Sequence, residues 1–385
     1  MNDKQPGGRL LSRRSMLGWG AGVLGSTAFL SRSSFAQNAA GAAVDKYNPN
    51  PHLAAPGWLA RRQEEAIEPE LEIVDSHHHL WDRTGDRFLF DELLALTKSG
   101  HKITHTVFCE CGSMYRSAGP AEMKVVGETE FVNGIAAMSA SGQYGPARLC
   151  AAIIGLAELR LGDGVAKVLE AQIAAGDGRF RGIRWDLAWD ESPSIPKVRT
   201  NPKKGDMEDT TWRAGFARLA PLDLTFDAYI YHPQLPQLTA LARAFPKTTI
   251  ILDHVGTPIG VGPYKDKKEE TFKQWKANII ELAESENVVV KLGGLGMGHG
   301  MFDFYNLTVP PSSQDLAESY KPYIETCIEA FGPNRCMFES NFTPDQTSGP
   351  YPVVWNAFKR LAASYSPTEK QMMFSGTAKR IYRLT

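Results

Sequence analysis

Short apolar runs alternate with longer amphipathic runs from Glu72 to the end of the 385-residue chain. Runs such as Ile250-Ile251-Leu252 and Val288-Val289-Val290 carry no polar face, which is typical of parallel strands covered on both sides. The eight predicted strands are Glu72–Ser76, Thr104–Cys109, Leu149–Gly155, Phe180–Asp186, Thr225–Ile230, Thr249–Asp253, Val288–Leu292 and Cys336–Glu339. Helices are predicted near residues 121–141, 163–175, 208–220, 234–245, 270–285, 317–331, 352–364 and 367–381.

This order and number of elements predict an α/β fold of the (β/α)8 TIM-barrel class. An open doubly wound sheet is the alternative, and it is disfavoured because no glycine-rich phosphate loop follows the first predicted strand. Two connections, residues 187–207 and 295–313, are long and lack a helical period. Long loops at the carboxyl ends of barrel strands usually shape a substrate pocket, so we expect both to border the site.

The composition is that of a globular protein. The chain is 43% hydrophobic and has a formal net charge of -1. No long block of like charge indicates a nucleic-acid partner or an anionic membrane surface. The five cysteines have irregular spacing and are predicted to be small buried residues rather than a disulfide framework or a zinc site: Cys109, Cys111, Cys150, Cys327 and Cys336. The sequence does not predict the oligomeric state.

The first residues have the pattern of an export signal. Arg13-Arg14 precedes a glycine-rich apolar run that is shorter than the ~20 residues of a membrane span. Ser34 and Ala36 then place small residues at the two positions that a signal peptidase reads before the bond it cleaves. We therefore expect residues 1–36 to be a twin-arginine signal peptide. After its removal the protein would be periplasmic or secreted, without stable membrane association. Residues 37–70 are predicted to form an N-terminal arm, and residues 71–385 the barrel.

The strongest local signal is the run His77-His78-His79 at the end of the first predicted strand. Side chains two residues apart in a strand point to the same face, so His77 and His79 should project together into the barrel mouth while His78 points away. Two adjacent imidazoles can share a divalent metal ion, or one can act as a base while the other polarises a carbonyl group.

Further polar residues lie in or at the ends of other predicted strands. They are Glu110, Arg181, Arg184, His232, His254, Lys291, Glu339 and Asn341. In a TIM barrel the catalytic groups come from the carboxyl ends of several strands, so this recurrence predicts an enzyme site.

Six segments together resemble the amidohydrolase-related (amidohydrolase-2) family. They are VDSHHHLWD, FRGIRWD, YHPQL, LDHVGTP, VVVKLGGL and FGPNRCMFESNFTPD. The similarity runs from about residue 71 to the C-terminus and is strongest to the branch of sugar lactonases and dicarboxylate lactonases. The resemblance implies a hydrolase that opens a small cyclic ester or acts on a related carboxylic or sugar-acid substrate. A metal-dependent non-oxidative decarboxylase and a non-catalytic binding barrel are the alternatives.

The resemblance also implies roles for individual residues. His77 and His79 match the strand-one histidine pair, and His232 and His254 match the histidines after strands five and six. The candidate metal ligands are His77, His79 and His232, for one divalent ion such as zinc, and a metal-independent site is the alternative. Substrate binding is predicted for Trp81, Arg181, Arg184 and Lys291.

One position departs from the family pattern. Related sequences have Ser-Asp-Trp-Pro after strand eight, whereas this chain has Ser340-Asn341-Phe342. Because an amide cannot ionise, Asn341 can orient a water molecule but cannot take its proton. The predicted catalytic residues are His77, His79, His254, Glu339 and Asn341. Glu339 is the first candidate for the general base, with Asp345, Glu110 or a histidine as alternatives.

Overall fold

The computed structural model describes residues 57–299 and 301–384. The predicted signal peptide, residues 1–36, lies outside them. The strands are β1 (Glu72–His78), β2 (Trp81–Arg83), β3 (Asp86–Phe88), β4 (Lys102–Cys109), β5 (Arg148–Gly155), β6 (Phe180–Asp186), β7 (Thr225–Tyr229), β8 (Ile250–Leu252), β9 (Val288–Leu292) and β10 (Cys336–Phe338). The helices are α1 (Phe90–Thr97), α2 (Val126–Ala140), α3 (Ala166–Ala175), α4 (Thr210–Phe216), α5 (Leu235–Ala244), α6 (Lys268–Ala283), α7 (Ser313–Phe331), α8 (Tyr351–Leu361), α9 (Pro367–Gln371) and α10 (Thr377–Tyr382).

Eight parallel strands form the barrel. Hydrogen bonds join β1, β4, β5, β6, β7, β8, β9 and β10 in that order. The chain after β10 returns to β1, where Asn341 N donates to the His77 carbonyl oxygen and His79 N donates to that of Phe342, both at 2.9 Å. These two bonds close the sheet, and the predicted TIM barrel is confirmed.

All eight predicted strands are present, and the two long loops lie where the sequence placed them. The structure adds two elements that the sequence analysis missed, the antiparallel hairpin β2–β3 and the helix α1. Each strand of the hairpin has only three residues, too few to show the alternation by which a strand is recognised.

The barrel interior is apolar at one end and polar at the other. Inward-facing residues such as Val74, Val107 and Ile251 pack against Tyr382 of α10. The carbonyl oxygen of Tyr382 accepts a hydrogen bond from Arg181, near the start of β6, at 2.7 Å. Helix α10 therefore covers the amino ends of the strands, which leaves the carboxyl ends for a site.

The described part of the predicted arm, residues 57–70, packs on the barrel. Trp58 Nε1 donates to the Leu307 carbonyl oxygen at 2.8 Å, within the loop 295–313. Lys359 Nζ of α8 donates to the Ile67 carbonyl oxygen at 2.8 Å. The five cysteines are buried and unpaired, as predicted. Within residues 57–299 and 301–384, no helix is both long and apolar enough to cross a membrane.

Asp75 of β1 holds the closure of the barrel. Its buried carboxylate accepts hydrogen bonds from Ser340 N at 3.0 Å, Ser340 Oγ at 2.6 Å and the Tyr351 hydroxyl at 3.0 Å. One side chain thereby joins β1 to the segment after β10 and to α8.

We predict that Asp75→Ala lowers the free energy of unfolding by about 3 kcal/mol or more, because three buried donors lose their acceptor. Urea denaturation followed by circular dichroism measures the change. Glu170→Ala, on the exposed face of α3, is the control and should change it by less than about 0.5 kcal/mol. Equal effects of the two substitutions would show that Asp75 does not hold the closure.

Candidate active site at the carboxyl ends of the strands

His77 and His79 lie side by side, as the sequence predicted. The β1–β4 pairing shifts register between Asp75 and His78, and the two Nε2 atoms of His77 and His79 are 3.3 Å apart. His78 faces the opposite side, where its Nε2 lies 2.8 Å from Thr106 Oγ1. The side chains of His77 and His79 therefore point into the barrel mouth, and that of His78 points away from it.

A hydrogen bond to the backbone assigns the tautomer of His79, and charged groups surround His77. His79 Nδ1 donates to the Cys109 carbonyl oxygen at 2.9 Å, which leaves His79 Nε2 as an acceptor. His77 Nδ1 lies 3.0 Å from both Lys291 Nζ and Glu339 Oε2, and its Nε2 lies 3.3 Å from both His79 Nε2 and Arg184 Nη1. Burial, and then the Lys291 charge, holds the pKa of His77 well below its usual value. Both facts describe a neutral, oriented imidazole.

Lys291 lies beneath the histidines in a fully buried cluster of charges. Its ammonium group is 2.6 Å from Asp227 Oδ2 and 3.0 Å from Asp253 Oδ1. Burial alone would lower the pKa of Lys291, but the two carboxylates outweigh it and raise the pKa well above its usual value. Lys291 is absent from the pocket wall, so its predicted role in substrate binding is corrected to that of an internal cation.

The candidate ligands for a metal ion lie in the same cluster. Within the described residues, His77, Asp253 and His254 form a group whose ligand atoms all lie within 4.8 Å of one another. The Lys291 ammonium is 3.0 Å from both His77 Nδ1 and Asp253 Oδ1, and therefore already supplies a positive charge there. Arg184 Nη1 adds a second cation 3.3 Å from His77 Nε2.

His232 does not complete a three-histidine site with His77 and His79. The turn His232–Gln234 carries its ring away from the pair, to a packing contact with Tyr264 at 5.0 Å between ring centroids. Its Nδ1 accepts a hydrogen bond from Ile259 N at 3.3 Å. The predicted metal set of His77, His79 and His232 is therefore corrected.

His254 and Glu339 form a buried pair next to the histidines of β1. His254 Nδ1 is 2.7 Å from Glu339 Oε1, and the same oxygen accepts from His254 N at 3.1 Å. Burial alone would raise the pKa of Glu339, but His254 and His77 lower it to about 2. Burial lowers the pKa of His254, yet the Glu339 carboxylate outweighs it and raises this pKa above its usual value.

The backbone after β9 makes room for this pair. A Cβ atom on Gly293 would lie 2.5 Å from Glu339 Cγ, and one on Gly294 would lie 2.3 Å from His254 Nδ1. Both separations are shorter than non-bonded atoms tolerate. His254 itself has a left-handed backbone, with φ of 55°, which is rare outside glycine and clusters at functional sites.

A pocket opens above these residues, and both long loops contribute to its wall. Val198 and Arg199 come from the loop 187–207, and Met297 and His299 come from the loop 295–313. The prediction that these loops shape the pocket is confirmed.

The sequence-predicted site residues divide into three groups by position. His79, Trp81, Arg184, His254 and Asn341 line the pocket. His77 and Glu339 lie buried behind that wall and contact its members His79 and His254, and Lys291 lies deeper, against His77. Arg181 lies at the opposite end of the barrel and bonds to Tyr382, so its predicted role in substrate binding is corrected. The roles proposed for the first group stay predictions.

Several residues of the site were missed. Asp227 and Asp253 were not considered, although an aspartate inside or at the end of an apolar strand is a recognisable signal. Arg83 and Arg199 line the pocket from the β2–β3 hairpin and the loop 187–207. No local pattern distinguishes these two arginines from surface residues, because tertiary packing alone brings them to the wall.

Comparison with known proteins gives consistent matches. The amidohydrolase family model matches residues 74–384. An uncharacterized protein of Sinorhizobium fredii is 30% identical over 342 residues, which is 82% of this chain and 99% of that protein. An L-fucono-1,5-lactonase of Burkholderia multivorans is 29% identical over 240 residues, covering 61% of this chain and 72% of the relative.

Solved structures give the same fold. An amidohydrolase of Burkholderia multivorans, crystallised with bound zinc, aligns with a TM-score of 0.62 at 24% identity. The alignment covers 81% of this chain and 99% of that one. The prediction of either one divalent ion or none fits the group of His77, Asp253 and His254, which could hold one ion.

We predict that Lys291→Met lowers the free energy of unfolding by about 3–5 kcal/mol, because Asp227 and Asp253 would be left as buried charges without a cation. Chemical denaturation measures it. Adding Asp227→Asn and Asp253→Asn should restore part of the loss, whereas Lys273→Met on the exposed face of α6 should have little effect. No recovery in the triple variant would contradict this charge account.

Proposed function

Because the chain belongs to the amidohydrolase family, a family of hydrolases, we propose that it opens lactones by attack of water on the ring ester carbonyl. The observation that carries the proposal is the pair His254–Glu339. His254 forms part of the pocket wall, and its Nδ1 is held at 2.7 Å by a buried carboxylate, which leaves Nε2 for the pocket. The similarity to an L-fucono-1,5-lactonase supports a lactone as the substrate class.

In the proposed reaction His254 is the general base. Neutral His254 takes a proton from water through Nε2 as the water oxygen bonds to the carbonyl carbon. Glu339 fixes the ring orientation and stabilises the imidazolium that forms. His254 then returns the proton to the ring oxygen as the carbonyl carbon–ring oxygen bond breaks, which yields the hydroxy acid. Glu339, the first candidate base from the sequence, thus acts through His254.

Arg184 is the group best placed to stabilise the developing oxyanion. It forms part of the pocket wall, and Glu110 fixes it through bonds to Nε at 3.0 Å and Nη2 at 2.6 Å. A preorganised cation at a buried site stabilises transition-state charge without reorganisation. His79 Nε2 is an acceptor, so His79 can orient the attacking water or a substrate hydroxyl group rather than the oxyanion.

A divalent ion in the cluster of His77, Asp253 and His254 would polarise the carbonyl group. In the arrangement described above Lys291 already provides the cation in this cluster, and Arg184 faces the substrate. The proposed steps therefore depend on the protein's own charged groups.

We expect the purified protein to convert a five- or six-membered sugar lactone to its hydroxy acid, and to retain this activity after dialysis against a chelator. His254→Asn should lower kcat/KM by about 10²–10⁴-fold, because proton transfer at the attacking water is lost. A pH-stat assay measures acid release. His232→Asn, a buried histidine outside the pocket, is the matched control and should stay within about twofold.

Release of carbon dioxide from a carboxylated aromatic, with no acid release from any lactone, would overturn the proposal. Full activity of His254→Asn on a lactone would overturn the role of His254 and leave the reaction class intact.

The pH dependence tests the pair directly. The base form of His254 is neutral, so kcat/KM should rise with pH through the His254 pKa, which Glu339 holds above its usual value. Glu339→Gln removes the carboxylate but not the burial, and the acid limb of the profile should move to lower pH while kcat falls. A limb that stays in place or moves to higher pH would contradict the pairing.

A further inference from the structure

Arg83 lies at the end of β2, in the hairpin β2–β3, and borders the pocket. Arg83 pairs in register with Asp86 across the hairpin and forms part of the pocket wall. Its guanidinium carbon lies 4.1 Å from the centroid of the Trp81 ring, and Nη2 donates to the Cys111 carbonyl oxygen at 3.2 Å. Two contacts with uncharged groups thus hold the side chain in position.

The other two arginines of the wall are neutralised by carboxylates. Arg184 is paired with Glu110 at 3.0 Å and with Asp186 at 3.4 Å. Arg199 is paired with the second oxygen of Glu110. Both of these arginines therefore have carboxylate partners at short distance.

Among the three arginines of the wall, Arg83 is the one that forms no ion pair with the described residues. Over residues 57–299 and 301–384, no carboxylate oxygen lies within 4.0 Å of its guanidinium nitrogens. Even Asp86, its partner in the strand register, forms no ion pair with it. A fixed guanidinium with a neutral backbone partner keeps N–H donors for a second acceptor.

We propose that Arg83 binds a carboxylate on the substrate, so that the preferred substrate is an anionic lactone rather than a neutral one. This inference rests on the proposed lactone hydrolysis. Trp81 lies between the histidines and Arg83. Its ring stacks on that of His79 with centroids 5.7 Å apart, and the Arg83 guanidinium lies over the Trp81 ring. The guanidinium of Arg83 is thus one aromatic ring away from the imidazoles, which matches a carboxylate substituent on a ring whose ester carbonyl lies at Arg184 and His254.

The experiment compares two lactones of the same ring size that differ in one ring carboxylate. The wild-type protein should favour the carboxylated lactone at least tenfold in kcat/KM. Arg83→Gln should raise KM for that substrate by about 10–100-fold, as expected for loss of a charge-assisted hydrogen bond, with kcat nearly unchanged. The neutral lactone should be unaffected, and Arg83→Lys should recover part of the binding because it keeps the charge but not the fork of donors.

Arg87→Gln is the matched control on the same hairpin. Its side chain is 48% exposed and pairs with Glu92 of α1, outside the pocket. It should leave both KM values unchanged, which separates the local effect of Arg83 from a general effect of the hairpin.

Binding gives a readout that does not depend on turnover. Calorimetry with the carboxylated hydroxy acid, the product of that lactone, should show tight binding to the wild-type protein and about 10–100-fold weaker binding to Arg83→Gln. Equal binding by both proteins, or equal turnover of both lactones by the wild type, would overturn the role of Arg83. If neither lactone is hydrolysed but the carboxylate still binds through Arg83, the proposed reaction fails and the anion site stands.

Discussion

The buried ammonium of Lys291 is the interaction on which the arrangement of this barrel depends. It joins β9 to Asp227 of β7, to Asp253 after β8 and to His77 of β1. Tyr382 of α10 reaches the same cluster by donating to Asp227 at 2.8 Å. A buried charge is tolerated only when its partners are in place, so the strands that supply these groups must keep one register.

The same ammonium links the interior of the fold to its chemistry. It lies 3.0 Å from Nδ1 of His77, and after burial its charge is the main cause that holds the pKa of that ring well below its usual value. His79, whose Nε2 is 3.3 Å from that of His77, donates from Nδ1 to the Cys109 carbonyl oxygen. A structural charge thus keeps the buried imidazole of His77 neutral, and the hydrogen-bonded pair of His254 and Glu339 lies beside it.

The sequence predicted the barrel and the position of the site because both follow from repeated local patterns. Eight apolar strands and the polar residues at their ends are visible without tertiary information. Arg181 shows where that reasoning was incomplete: it lies three residues before Arg184, and side chains three apart in a strand face opposite ways. His232 could not be placed in this manner, because a turn after β7 redirects its ring. Arg83 and Arg199 lie on a hairpin and a loop, whose paths depend on the whole fold.

The two glycines after β9 have a consequence for the evolution of this barrel. The ring of His254 and the methylene group of Glu339 occupy the space that side chains at Gly294 and Gly293 would need. In a descendant with any larger residue at position 294, His254 would have to adopt a different rotamer. It would then lose its hydrogen bond to Glu339. The residue at this position is therefore a marker for sorting barrels of this kind into those that can maintain a histidine–glutamate pair and those that must activate water in another way.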